Sequence, residues 1–328
     1  MSVKKKLILN LNDKTNYVIH ISNLKYYLEK GMILKKINRC ISFKQKQWLK
    51  PWIDFNTDKR TKATNDFEKD FFKLMNNAVF GKTMENVRNH IDFELVNSAE
   101  RLAKIQNEPV FKHAHIINES LVGVEKTRTS TNLNKPIYLG FSILELSKLH
   151  MYTFYYDVLK PRYGDKVRLA YTDTDSFVLY IETDDVYKDF RELGDVFDFS
   201  DYPVDHNNFD KKNKKKLGFF KDEVNGNIIQ EFIGLKPKMY AIKLEDKVYK
   251  KAKGVPTHKV KNNISFGQYY TTLMENTKEY IKFNTIRSFN HQLFSITCNK
   301  LGLSSFDNKR YWLDYKNSFA YGHYSINH

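Results

Sequence analysis

Hydrophobic and polar positions alternate most cleanly in "KVRLAYTDTDSFVLYIE" (166–182). Val167, Leu169 and Tyr171 share one side before a polar break, and Phe177, Leu179 and Ile181 share one after it. That pattern predicts two strands closed by a turn. A different period governs "NDFEKDFFKLMNNAVFGKTMENVRNH" (65–90), where Phe67, Phe71, Leu74, Met75 and Ala78 recur at helical spacing. Asn65, with Glu68 three residues on, supplies a capping-box start. "IYLGFSILELSKLHMYTFYYDVLK" (137–160) is apolar on most faces, which predicts a core helix ending at Pro161. Upstream, 16–22 and 32–43 read as strands around a short helix (23–31) closed by Gly31. Residues 45–62 are basic and aromatic, with Pro51 as a kink. Residues 91–134 show weak periodicity and read as an insertion or small subdomain. The stretch 218–255 is rich in strands, with Glu245 and Asp246 at a hairpin turn, and the last seventy residues read as helical and then irregular.

Composition narrows the partners. The 328 residues suffice for one large domain or two ordinary ones, and 41% hydrophobic content is globular. Fifty-four Lys and Arg against 38 Asp and Glu give a net charge of +16, a surplus that points to an anionic partner, nucleic acid first. The 15% aromatic share suits stacking on bases, although an AT-rich genome produces the same bias. Two distant cysteines, Cys40 and Cys298, exclude a disulfide framework or zinc knuckle and suggest a reducing, intracellular setting. No apolar run is long enough to span a bilayer, so no membrane partner is expected, and the basic start "MSVKKKLILN" turns polar too soon for a signal peptide. The lysine run 211–216 reads as a solvated loop or a nuclear signal.

Three places carry candidate chemistry. Asp173 and Asp175 sit one residue apart in the turn of 166–182. They could be plain turn formers, or two carboxylates sharing a divalent cation, for which Mg²⁺ is the fitting hard ion. A phosphatase-like Asp-x-Asp with Asp173 as nucleophile is a third reading, disfavoured by the returning strand. Lys73, Asn77 and Gly81 are spaced i, i+4, i+8 and line one helical face over about 12 Å. That face suits a nucleoside triphosphate or is simply amphipathic. Lys238 and Tyr240 point to the same side of a strand, and with a lysine-rich neighbour they could track a nucleic-acid backbone or merely be solvated.

Taken in order, these places resemble the family B DNA polymerases, in particular the protein-primed viral, organellar and Polinton/Maverick-type branch. Motif B, Lys-x-x-x-Asn-Ser-x-Tyr-Gly, is matched at Lys73, Asn77 and Gly81, with Ala78 in place of Ser and Phe80 in place of Tyr. Motif C, Tyr-x-Asp-Thr-Asp-Ser, is matched from Tyr171 to Ser176. The Lys-x-Tyr motif is matched at Lys238 and Tyr240, followed by Lys253 and Gly254. The resemblance implies an α+β right-hand architecture: a partial palm with an antiparallel sheet (1–44 and 135–254), helical fingers (45–90), an insertion (91–134) and a small thumb (255–328). It implies template-directed nucleotidyl transfer with two Mg²⁺ ions, Asp175 as main ligand and Asp173 as secondary ligand. Lys73, Asn77, Gly81 and Arg60 would bind the dNTP, and Lys238, Tyr240 and Lys253 the DNA primer–template. A terminal protein can serve as primer in that branch, whose members act in the nucleus, in mitochondria or in viruses and mobile elements. No segment matches the family's motif A or its exonuclease domain. The expectation is therefore a C-terminal part of such a polymerase, or an inactive DNA-binding derivative of one.

Overall fold

His20 begins the first helix, its ring nitrogen accepting the Ser22 N–H at 3.2 Å. In the computed structural model, which describes residues 8–289, 292–314 and 317–327, this helix, α1, spans Ile21–Glu29. Gly31 follows at φ 92°, the left-handed conformation that closes a helix without a Cβ penalty. The basic stretch 1–7 read for a signal peptide lies outside the described residues. The strands expected over 16–22 and 32–43 do not form. Their Val18, Ile33 and Ile41 are exposed, and no described strand lies beside them to complete a ladder.

Pro51 starts a helix instead of kinking one. It stands in the first turn of α2 (Lys50–Lys62), where its missing N–H costs nothing. Helix α3 (Asp66–Thr83) is capped by Asn65, which accepts the Glu68 N–H at 2.8 Å. Glu68 reaches back to the Thr64 N–H at 3.4 Å, one residue short of a full capping box. The two helices pack together, with the Trp52 indole donating to the Met75 carbonyl at 3.4 Å. Phe72, Met75, Asn76 and Val79 are half-buried, whereas Phe67, Phe71 and Leu74 remain exposed, so the burial stripe is rotated from the one expected.

Residues 91–134 form a small α/β element of their own. It comprises β1 (Asp92–Val96), α4 (Ala99–Gln106), β2 (Phe111–Asn118) and β3 (Leu121–Lys126), in antiparallel order β1-β3-β2. Its core is Val96, Ile105 and Val124, and so few buried positions leave little periodicity to read.

Helix α5 (Ile137–Thr153) runs on through a π-helical turn, Phe154–Leu159, into α6 (Lys160–Tyr163). The wider turn, closed by the Lys160 N–H on the Tyr155 carbonyl, puts Pro161 in a first-turn position. The helix therefore passes the proline expected to end it and stops at Gly164, φ 56°. Only its later half is core. Met151, Phe154, Leu159 and Tyr163 are buried, whereas Ile137, Tyr138 and Leu146 are exposed.

Strands β4 (Val167–Thr172) and β5 (Phe177–Ile181) form the expected hairpin, followed by α7 (Val186–Glu192) and a long loop. Strands β6 (Glu231–Lys236), β7 (Met239–Lys243) and β8 (Val248–Ala252) make an antiparallel sheet in that order, its second turn spanning Glu245 and Asp246 as expected. Helices α8 (Thr257–Asn263) and α9 (Phe266–Glu275) come next. The remainder, expected to be irregular, is a ribbon of β9 (Lys278–Phe289) and β10 (Gln292–Ser304) and a short pair, β11 (Tyr311–Trp312) and β12 (Ser318–Phe319).

The fold is thus mixed α+β with antiparallel sheets. The chain divides into two compact units. One takes the described residues of Met1–Lys46, Glu145–Phe283 and Asn299–His328; the other is Gln47–Leu144 with those of Asn284–Cys298. The first unit has two cores. Ile233, Met239, Ala241 and Leu303 pack with Tyr269 of α9, and Phe154, Leu159, Tyr163, Val167 and Phe197 pack around the π-helical turn. Among the described residues no helix is long and apolar enough to cross a membrane.

Candidate functional site

The tip of the β4–β5 hairpin is Asp173–Ser176. The Asp173 N–H donates to the Ser176 carbonyl at 3.2 Å, and the Asp175 N–H to the Asp173 carbonyl at 2.6 Å. The second bond closes a three-residue turn with Thr174 at its centre, at φ 58°. A β-branched residue in that region is strained, by roughly 1–2 kcal/mol. A bulge between Leu169 and Tyr171 breaks the expected alternation. Leu169 is left exposed, while Tyr171 faces Phe232 and Tyr240, with ring centroids at 6.2 and 4.9 Å.

The turn joining β6 and β7 is Pro237–Lys238. Proline pre-sets the first turn position, and Lys238 takes the second at φ 62°, where glycine is the usual residue. Three contacts hold it there. The Lys238 N–H donates to the Tyr171 hydroxyl at 3.1 Å, the Lys238 carbonyl accepts the Lys253 N–H at 3.0 Å, and the Lys238 Nζ lies 3.3 Å from Asp173 Oδ2. Two hairpin tips distant in sequence therefore meet, each carrying a strained non-glycine residue. Strain of this kind persists only where surrounding contacts over-determine it, and it clusters at functional sites.

Asp173, Asp175, Lys238 and Tyr240 thus stand on two facing tips, with Lys253 tied to them through its backbone. The Asp173 carboxylate faces an ammonium, whereas that of Asp175 is exposed and has no partner among the described residues. Burial, then Tyr171 and Asp173, push the Tyr240 phenol above its usual pKa, so it stays a hydroxyl donor at neutral pH. No described group of three or more His, Cys, Asp or Glu could hold a metal by itself. Two carboxylates with one left free nevertheless suit Mg²⁺, which keeps waters and takes substrate phosphates as its other ligands.

Lys73, Asn77, Gly81 and Arg60 belong to the other unit. The first three are exposed along one face of α3, and Arg60 lies in the last turn of α2. The sequence reading includes Tyr171 as the first residue of motif C without giving it a role in the site, and it does not include Phe232. The Tyr171 hydroxyl could have been suspected from its place beside the acidic turn, but nothing marks Phe232 before β6 and β7 are paired. Comparison with family models, curated proteins and solved structures finds no match for this chain.

Proposed function

We propose that the chain is part of a DNA-directed DNA polymerase of family B, protein-primed branch, with the right-hand arrangement of palm, fingers and thumb. The observation that carries the reading is the meeting of the acidic turn and the Lys-x-Tyr strand. The motif order implies both at one site, and the Tyr171 hydroxyl and the Asp173 carboxylate each contact Lys238.

In this reading the primer 3′-oxygen bonds to the α-phosphorus of a dNTP, pyrophosphate leaves, and the hydroxyl proton passes to solvent. Asp173 and Asp175 are the residues that would hold Mg²⁺. When bound, such ions lower the pKa of the attacking hydroxyl and stabilise charge on the leaving group, and two are expected in a complete enzyme. Lys238 exchanges its contact with Asp173 for a primer-strand phosphate, and Tyr240 packs beside it and orients the terminus. Lys73 offers its charge to the triphosphate, with Asn77, Gly81 and Arg60 on the same helical hairpin. A catalytically silent DNA-binding derivative is the second reading. In that reading the acidic turn and the Lys-x-Tyr strand still meet, as the Lys238 contacts with Tyr171 and Asp173 have them, and serve DNA binding alone.

The test is extension of a labelled primer–template in Mg²⁺, beside Asp175→Asn, with binding read from the same samples. Extension that the substitution abolishes supports the polymerase. Binding without extension in the native chain refutes activity of this chain and leaves the silent derivative.

A further inference from the structure

Lys236 ends β6 immediately before the Pro237–Lys238 turn. It is half-buried, and no carboxylate lies within ion-pair distance of it among the described residues. It lines a shallow cleft of about 370 Å³ in the first unit, together with Lys278, Leu301, Ser304, Phe306, Asp307 and Asn308. Neither of the cleft's two ammonium groups has an ion-pair partner among the described residues.

The single carboxylate in the cleft accepts one backbone N–H, and the carbonyl of the same residue accepts two more donors. Asp307 Oδ1 accepts the Lys309 N–H at 3.0 Å, and the Asp307 carbonyl accepts the Arg310 N–H at 3.2 Å and the Trp312 indole at 2.8 Å. It shapes the loop after β10 and leaves the cleft with a net positive charge. Burial holds the Lys236 ammonium below the ordinary lysine value, with Asp307 opposing. A half-buried cation lacking a counter-ion carries a desolvation cost that an incoming anion relieves.

Ser304 and Asn308 add neutral hydrogen-bonding residues to the lining. Phe306 is exposed and stacks on Trp312 with ring centroids 5.9 Å apart at 25°, an aromatic surface at the edge of the cleft. Two lysines, a serine and an asparagine among the lining residues supply the cationic and neutral donors that a phosphate group takes, and an aromatic neighbour suits the base attached to it. Lys236 and Lys238 flank a single proline, so the cleft adjoins the turn that carries Lys238.

We infer that the cleft of Lys236 and Lys278 binds a phosphate of a nucleic-acid backbone, as a station separate from the acidic turn. The inference rests on the chain's binding nucleic acid and not on its catalysing anything.

The experiment is fluorescence anisotropy of a labelled single strand of about 20 nucleotides, and of its duplex, titrated with the full chain. It is run without divalent cation or nucleotide, between about 50 and 200 mM salt. Lys236→Met and Lys278→Met are each expected to weaken binding about three- to tenfold and to lower the salt slope by about one, whereas Lys236→Arg retains both. Melting curves of the same samples confirm folding. A parallel arm adds inorganic phosphate at matched ionic strength. If phosphate binds through Lys236 while oligonucleotide affinity ignores it, the cleft serves a free phosphate compound and the backbone assignment is overturned. Native affinity and slope in the double variant overturn it as well, as does a native chain that binds no oligonucleotide. A failed extension assay with Lys236-dependent binding intact removes only the polymerase reading.

Discussion

Replacing Lys238 by Met removes one charge and keeps the side-chain length and the backbone strain of that turn position. The Nζ lies 3.3 Å from Asp173 Oδ2. Coulomb's law at that distance gives about 5 kcal/mol at an effective dielectric of 20 and about 1 kcal/mol in water. The side chains are 52% and 36% exposed, so the lower figure applies, in line with other surface pairs. A cation entering between the carboxylates must displace this ammonium. Lys238→Met is therefore expected to tighten Mg²⁺ or Mn²⁺ binding about fivefold, the equivalent of ~1 kcal/mol. Isothermal titration at low salt reads this directly. In an Asp173→Asn background the gain should vanish, since the displaced partner is gone. The same variant should bind primer–template more weakly, because the ammonium is then missing from the phosphate. Unchanged or weaker metal binding in the single variant would refute the argument that Lys238 and the ion compete for Asp173.

Two further outcomes follow from local geometry. Thr174→Gly relieves a β-branched residue at φ 58° and should stabilise the protein by ~1 kcal/mol, raising Tm by a few degrees; a fall in Tm would contradict the strain assigned there. Glu85 is hydrogen-bonded by Lys82, then His90 and Lys135, which hold its pKa at about 2 against an ordinary 4.5. A depressed folded pKa means that its contribution is complete above about 4.5 and is lost as pH falls through about 2. Acid melts should therefore lose stability over that window in the native chain and less steeply in Glu85→Gln. Parallel curves would show that the three contacts contribute nothing.

The parts of this fold legible in the sequence are those whose local signals agree with their surroundings. Asn65 caps α3, alternation marks β5, and Glu245 and Asp246 turn the chain between β7 and β8. The β9–β10 ribbon was illegible for a physical reason. Along β9 burial alternates, with Glu279, Ile281, Phe283 and Thr285 half-buried between exposed Lys278, Tyr280 and Ile286. Both faces thus mix polar with apolar side chains, so burial has period two but hydropathy does not. The opposite failure occurs at 32–43, where Ile33, Ile37 and Ile41 suggest a strand but no described neighbour pairs with it. An apolar run records the capacity to be a strand, and the partner that completes it is a tertiary fact. At the candidate site the acidic turn and the Lys-x-Tyr strand were visible separately. Their contact depends on the bulge in β4 that swings Tyr171 toward Tyr240, and on Pro237 forcing Lys238 into its turn position. Neither has a signature in residue spacing.

The facing tips also set an order of assembly. Each hairpin closes over a few residues, so its ladder can form by local search within microseconds. The Lys238–Tyr171 bond, by contrast, spans 67 residues, and its loop-closure cost is met only when the two finished hairpins dock. The docked contact therefore forms after the two hairpins it joins and can open without unpairing either ladder. Amide exchange at Lys238 should report that opening while the cross-strand amides within each hairpin stay protected. With that exchange pattern the site is two preformed halves that dock, and whatever binds across both favours the docked state.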